Sequence, residues 1–407
     1  MKILLINKYC YLESGATRHI FDLEKVLKAN GHEVVYFAMQ DSKNIPEKTN
    51  KFFVSKLDFS KAKFNFNAFK KIGRMFYSLE AKKKMKELIQ QEKPDIAHVH
   101  NIYHQISPSI LPVLRKAGIP IVMTNHDYKL ICPSYAMYSK RRVCEKCLKH
   151  KYYHAPLERC LKNSFFASLI VMFEMYFHKL LKIYEKNINL NIVPSEYVRG
   201  VFVKFGQDKN KIKVLPHFVD MLTNGEGDKK QDYILYAGRL STEKGVAMLV
   251  NVFLKIKNNQ SKLIIAGHGP LEDRLKEKVK KLGLEKNIEF LGQISKQEVI
   301  DKMKFAKAVV IPSQSAETFG LTCLEAIKLK TPVLASDIGG LSELKKHSKC
   351  VKLIDPYDKG KWQLEIENMC QNKVSSSCQI NGNILTSQEY YLEIIKLYNE
   401  LIETTKK

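Results

Sequence analysis

The chain has 407 residues, 67 Lys and Arg against 42 Asp and Glu, and a formal charge of +25. With 45% hydrophobic residues and only 19 glycines it is neither disordered nor collagen-like, and its length suits two or three domains that each bury a core. The surplus of cations leaves nucleic acid, phosphorylated small molecules and anionic membrane surface as partner classes.

Residues 2–7 (KILLIN) read as a strand that breaks at a polar pair without a cleavage site of the secretory kind, so the chain is expected in the cytosol. Residues 15–30 read as a helix stopped by Gly31, and 33–38, 96–100 and 120–125 as strands. The most apolar window, 165–177, is too short for a span of about 20 residues and contains Glu174, which excludes a transmembrane helix. Further strands are predicted at 190–194 and 213–215, followed by a polar, glycine-bearing linker, Thr223 to Gln231 (TNGEGDKKQ). A second series follows at 233–237, 262–266, 288–291, 308–312 and 332–336. Such alternation predicts an α/β chain of two doubly wound parallel sheets facing across a cleft, with ligands beyond the carboxyl ends of the strands.

Three loops at such strand ends carry chemistry. Gly238–Gly245 (GRLSTEKG) holds Arg239 and Lys244, two cations able to neutralise a diphosphate, or simply two surface cations. Gly267, His268 and Gly269 permit close approach of backbone to a ligand and equally a plain turn. In AVVIPSQSAETFGLTCLE, Glu317 lies in a loop and Glu325 a turn into the next helix. Either carboxylate can accept two hydroxyls, and the Phe319, Gly320 and Leu321 amides would face an anion. The competing reading is a solvated loop acid and an exposed helix acid.

In this order, GRLSTEKG, AGHGP, PSQSAETFGLTCLEA and PVLASDIGG resemble the donor domain of the retaining, nucleotide-sugar-dependent glycosyltransferases of family 4, which share the two-domain GT-B fold. KILLINKYCYLESGATRHIFDL, HVHNIY and VMTNHDYKLICP resemble the other half, so the likeness covers nearly the whole chain. It implies a Rossmann-like acceptor domain over 1–222, a donor domain over 231–382, and a C-terminal helix within 383–407 packing back on the first. It further implies that Arg239 and Lys244 bind the donor diphosphate, Glu317 the transferred sugar and Glu325 the ribose. Gly267 and His268 would line the donor site, and the Phe319, Gly320 and Leu321 amides the sugar and phosphate. Gly15 would let backbone approach the phosphates, and His126 would stand beside the reacting carbon as a catalytic residue with Glu317. Ser14 departs from the family pattern, where many relatives carry glycine. With no DxD-type motif at a strand end, no catalytic metal is expected. The implied activity is retaining sugar transfer from a nucleotide-sugar to a glycan or lipid-linked acceptor in surface polysaccharide or glycolipid assembly. A nucleotide-sugar epimerase of the same fold and a non-catalytic nucleotide-sugar-binding subunit are the alternatives. The chain lacks a GxGxxG after its first strand, against a dinucleotide oxidoreductase.

Cys132, Cys144, Cys147 and Cys160 are spaced for a structural zinc site, with His150 and His154 as alternative ligands and free thiols as the other reading. Cys10, Cys323, Cys350, Cys370 and Cys378 show no pairing. Residues 1–200 hold 34 basic against 17 acidic side chains. Stretches 61–88, with Phe64, Phe69 and Phe76 among lysines, and 165–182 could lie on an anionic membrane or present solvated lysines around a core-facing helix. No nucleic-acid-binding module is recognised.

Overall fold

The computed structural model describes residues 1–57, 66–220, 230–256, 261–371, 378–381 and 384–406. Residues 223–229 of the predicted linker, and Lys61, Lys63 and Phe64 of the first basic stretch, lie outside them. The chain forms two compact units, one of residues 1–136, 145–217 and 386–407, the other of 137–144 and 218–385.

In unit 1, strands β1 (Lys2–Ile6), β2 (Glu33–Phe37), β3 (Ile96–Val99) and β4 (Ile121–Thr124) join β7 (Leu190–Val193) and β8 (Ile212–Val214), numbered past a short hairpin of β5 (Tyr138–Ser139) and β6 (Arg142–Val143). The sheet order is β2-β1-β3-β4-β7-β8, every pairing parallel. Such a sheet is covered on both faces, which is why KILLI and IVMT are apolar without alternation and why Ile3, Leu4, Leu5 and Ile6 are fully buried. The chain reverses direction across the sheet between β1 and β3, and the loops there are where open α/β sheets bind ligands.

Helix Gly15–Ala29 follows β1, and Ser14, the residue that breaks the family pattern, is its N-cap. The Ser14 hydroxyl accepts from the Thr17 amide at 3.5 Å and Thr17 Oγ1 accepts from the Ser14 amide at 2.9 Å. The basic stretch 61–88 is not one helix: Phe66–Phe76 and Leu79–Glu92 are separate, and Ser78 caps the second through its hydroxyl. Helix Phe165–Leu181 buries Val171, Met172 and Met175 on one side. It leaves Phe166, Phe173 and Leu180, seven residues apart, 66%, 54% and 82% exposed. Its Glu174 is wholly buried and meets Lys129 Nζ at 2.7 Å and His104 Nε2 at 2.9 Å. Burial works against that carboxylate, but Lys129 and His104 outweigh it and hold Glu174 well below the usual carboxyl range.

The helix Ser387–Lys406 belongs to unit 1. Its Tyr390, Ile394 and Tyr398, spaced one turn apart, are fully buried. Tyr398→Ala is expected to cost about 3–5 kcal/mol of unfolding free energy, the scale of a deleted buried aromatic, read from urea denaturation. A loss below 1 kcal/mol would show that the helix does not contribute to this core.

In unit 2, β9 (Gln231–Ala237), β10 (Lys262–Ala266), β11 (Ile288–Gly292), β12 (Ala306–Ile311), β13 (Val333–Ser336) and β14 (Val351–Ile354) form a second parallel sheet, ordered β11-β10-β9-β12-β13-β14. Its core gathers Ile234, Leu249, Ile265, Val310, Leu334 and Trp362. The cysteine-bearing insertion is divided, because the β5–β6 hairpin belongs to unit 2. There Tyr138 Oη donates to Gln314 Oε1 at 3.1 Å and the Val143 amide donates to Tyr357 Oη at 3.3 Å. Two cysteines that the sequence left unpaired form a disulfide, Cys350–Cys378. Among the described residues no helix is long and apolar enough to cross a membrane.

Candidate active site

The sheet of unit 2 changes direction between β9 and β12, and the loops beyond these two strands meet. Beyond β9, a turn over Thr242–Lys244 ends at Gly245, whose φ is +72° and whose Cα faces the Pro312 carbonyl so closely that a Cβ would lie 1.8 Å from its oxygen. The Glu243 carbonyl accepts from the Gln314 and Ser315 amides at 2.8 and 3.2 Å, stitching this turn to the loop beyond β12. The result is a converging trio: Lys244 Nζ donates to Glu317 Oε1 at 2.6 Å, and Ser313 Oγ donates to the same oxygen at 2.5 Å. Burial disfavours the Glu317 carboxylate, but the Lys244 charge and the two hydrogen bonds prevail and hold it below its ordinary value, so it is ionised at neutral pH.

Arg239, at the other end of this loop, is exposed, and its guanidinium makes no hydrogen bond or ion pair among the described residues. Helix Leu321–Lys328 starts beside the trio with Gly320 as its N-cap, and the Gly320 and Leu321 amides donate to no described group. Such amides favour an anion. Phe319 is buried, and so is Glu325, at 4% exposure on the inner face of that helix, which removes the reading of an exposed helix acid. Lys244, Glu317 and Ser313 are thus brought together, with the N-cap of that helix three residues after Glu317 and Arg239 exposed in the loop that carries Lys244.

Gly267 lies beyond β10 with a φ of +139°. Its backbone lies against the next loop, so that a Cβ would stand 2.0 Å from the Gly238 oxygen. Only a glycine allows this approach of loop on loop. His268 extends outward, 74% exposed, with Nδ1 2.5 Å from Glu272 Oε2. Ser313 was missed in the sequence; the signal available was a hydroxyl four residues before Glu317 in the same polar loop.

In unit 1, Gly15 is exposed at the start of its helix and His126 follows β4. His126 joins a nest of histidines. His100 Nδ1 is 3.0 Å from His126 Nε2, and the His217 ring stacks 5.4 Å from the His126 ring. His19 packs 4.1 Å from His217 and meets Tyr390 Oη at 3.2 Å, while His98 is stacked on His100. Burial brings His126 down to about 4 and His98 to about 3, and burial with the neighbouring histidines brings His19 and His100 well below the usual value. All are neutral at pH 7. The sequence offered His126 alone, because the other rings come from three separate segments.

The described residues contain no group of three or more His, Cys, Asp or Glu that could hold a metal ion. Cys132 Sγ lies 3.4 Å from Ser134 Oγ, and Cys144 belongs to unit 2 while Cys132, Cys147 and Cys160 belong to unit 1.

Residues 14–221 match the family described as Glycosyltransferase Family 4, and residues 223–383 the family described as Glycosyl transferases group 1. The chain belongs to the group 1, family 4 glycosyltransferases. This glycosyltransferase is 25% identical over 365 residues to an uncharacterised 42.6 kDa protein in the cps region of Klebsiella pneumoniae, covering 85% of this chain and 88% of that one. An uncharacterised glycosyltransferase of Methanocaldococcus jannaschii is 40% identical over 115 residues, 28% of this chain and 29% of the relative. Anabaena HepE, solved in complex with UDP and glucose, has the same fold at a TM-score of 0.65 and 16% identity, over 98% of this chain and 100% of that one. The fold is GT-B, two Rossmann-like α/β units, and the chain is a transferase.

Proposed function

We propose that this glycosyltransferase moves a sugar, with retention at the anomeric carbon, from a nucleoside-diphosphate donor to a glycan or lipid-linked acceptor in surface polysaccharide or glycolipid assembly. The observation that carries the reading is the trio Lys244–Glu317–Ser313 beside the open Arg239 and the Gly320 and Leu321 amides. Cations and amides suit a diphosphate; an ionised, oriented carboxylate suits sugar hydroxyls. HepE binding UDP and glucose, and a relative in a cps region, support the donor class and the polysaccharide role.

As the bond to the anomeric carbon breaks, negative charge grows on the leaving diphosphate. Arg239 and Lys244 stabilise that charge, a contribution of about 3–4 kcal/mol for a well-placed donor. Glu317 holds hydroxyls of the transferred sugar and Glu325 the ribose. His126 orients or polarises, and the departing phosphate takes the acceptor's proton. The test is the anomeric configuration of the product by NMR: an α-configured donor is expected to give an α-glycoside, and a β-glycoside contradicts retention.

The reading includes docking on anionic membrane. It is supported by the exposed stripe Phe166, Phe173 and Leu180 on a helix whose last turn and C-cap carry Lys179 and Lys182. Sedimentation with vesicles is expected to favour anionic over neutral lipid, and Phe166→Ser with Phe173→Ser to abolish the binding. Equal partition onto both lipids contradicts docking.

A further inference from the structure

His98 and His100 stand two residues apart at the end of β3 and share one side of it, their rings stacked at 4.3 Å and both wholly buried. The ring of His98 is satisfied on both nitrogens, Nδ1 by Tyr398 Oη at 2.5 Å and Nε2 by Thr124 Oγ1 at 2.7 Å. His100 differs. Its Nδ1 meets His126 Nε2 at 3.0 Å, while its Nε2 is buried with no hydrogen-bond partner among the described residues.

Two neutral imidazoles share such a contact only if one of them donates, and the two possibilities are unequal. If His126 donated, the proton of His100 would sit on Nε2 as a buried N–H with nothing to accept it, a rare arrangement in folded proteins. If His100 donates, what is left unpaired at Nε2 is a lone pair, which burial tolerates more readily. The nearly parallel rings, 24° apart with centroids at 5.2 Å, hold the pair in register.

We infer that His100 is a positioning residue for His126, donating Nδ1–H to His126 Nε2 and so fixing His126 as the tautomer that carries its own proton on Nδ1. The inference deepens the proposed transferase reading and, for its kinetic part, rests on it. In this state the Nε2 lone pair of His126 is engaged and its Nδ1 is protonated, so the ring has no lone pair with which to take the acceptor's proton. His126 then cannot serve as the base, and the acceptor's proton leaves with the phosphate. Neutrality of both rings at pH 7 agrees with this.

The test uses full-length protein labelled with ¹⁵N-histidine, with the ring of His126 assigned by loss of its signals in His126→Gln. The expected result is a pyrrole-type Nδ1 and a pyridine-type Nε2 in the wild type and in His100→Asn, whose amide nitrogen replaces Nδ1 as donor, and loss of that preference in His100→Phe. His126 found protonated on Nε2 in the wild type, or unmoved in His100→Phe, overturns the inference. In kinetics, His100→Phe is expected to lower kcat about 10- to 100-fold, with donor KM within about twofold, and His100→Asn to restore most of the loss. Equal loss in both folded variants would mean that His100 only fills space, and overturns it. Absence of turnover in the wild type with every donor would fall on the transferase reading, and the NMR result would still decide the tautomer.

Discussion

Lys244→Ala is expected to lower kcat/KM for the donor by about 100-fold or more, the scale of a lost transition-state contact, and Glu317→Ala to do the same. The two residues are one unit: Lys244 Nζ and Ser313 Oγ converge on Glu317 Oε1. On the proposed reading, removing Lys244 takes away a cation facing the leaving diphosphate, and it also removes the charge that holds the buried Glu317 below its ordinary value. The double variant should therefore lose little more than either single one, since residues acting together are not additive. Initial rates over a range of donor concentrations check this. Near-wild-type transfer by a folded Lys244→Ala protein would sink the phosphate assignment, and fully additive losses would show that the pair acts independently.

Acid is expected to destabilise unit 1 well before its buried, ion-paired Glu174 titrates. His19, His98, His100, His126 and His217 are held below 6.5 chiefly by burial. Between those lowered values and 6.5 the unfolded chain binds protons that the folded chain refuses, so stability falls as pH falls. Each such histidine removes about 1.4 kcal/mol at one pH unit below its unfolded value, and several together reach the size of a domain's whole stability. Glu174 and Glu317 are lowered groups of the opposite type: their stabilisation is complete above about 4.5 and lost only below it, outside this window. Urea midpoints at pH 7.5 and 5.5 separate the two. A clear drop by pH 5.5 is expected, and an unchanged midpoint would mean that the histidines are charged or solvated in the fold.

Much of the fold was legible because parallel strands buried on both faces are written as short apolar runs, as in KILLI and KLIIA. The strand Val351–Ile354 was missed, since it is an edge strand of four residues with an exposed lysine and no apolar run to mark it. The break at Tyr77–Ser78 in the stretch 61–88 was also missed: the basic pattern continues through it, and only the cap at Ser78 betrays the new helix. The Cys350–Cys378 bridge joins the start of β14 to a segment 28 residues on, a proximity that no spacing rule encodes. In the candidate site, Glu317, Lys244 and Arg239 could be singled out because each follows a strand. Ser313 was not, because a serine in a polar loop has no distinguishing pattern until its oxygen is seen against the carboxylate. The histidine nest was least legible, its rings coming from residues 19 to 217 and meeting only through the order of the sheet.

Thermal unfolding of the full chain with UDP, UDP-glucose and other nucleoside-diphosphate sugars tests the central claim most directly. A ligand of the folded state adds RT ln(1+[L]/Kd), about 2.7 kcal/mol at a hundredfold excess over Kd. The account predicts a raised midpoint with at least one such donor and its nucleoside diphosphate, and its loss in Lys244→Ala with Arg239→Ala. No shift with any of them, or an equal shift in that double variant, would contradict it.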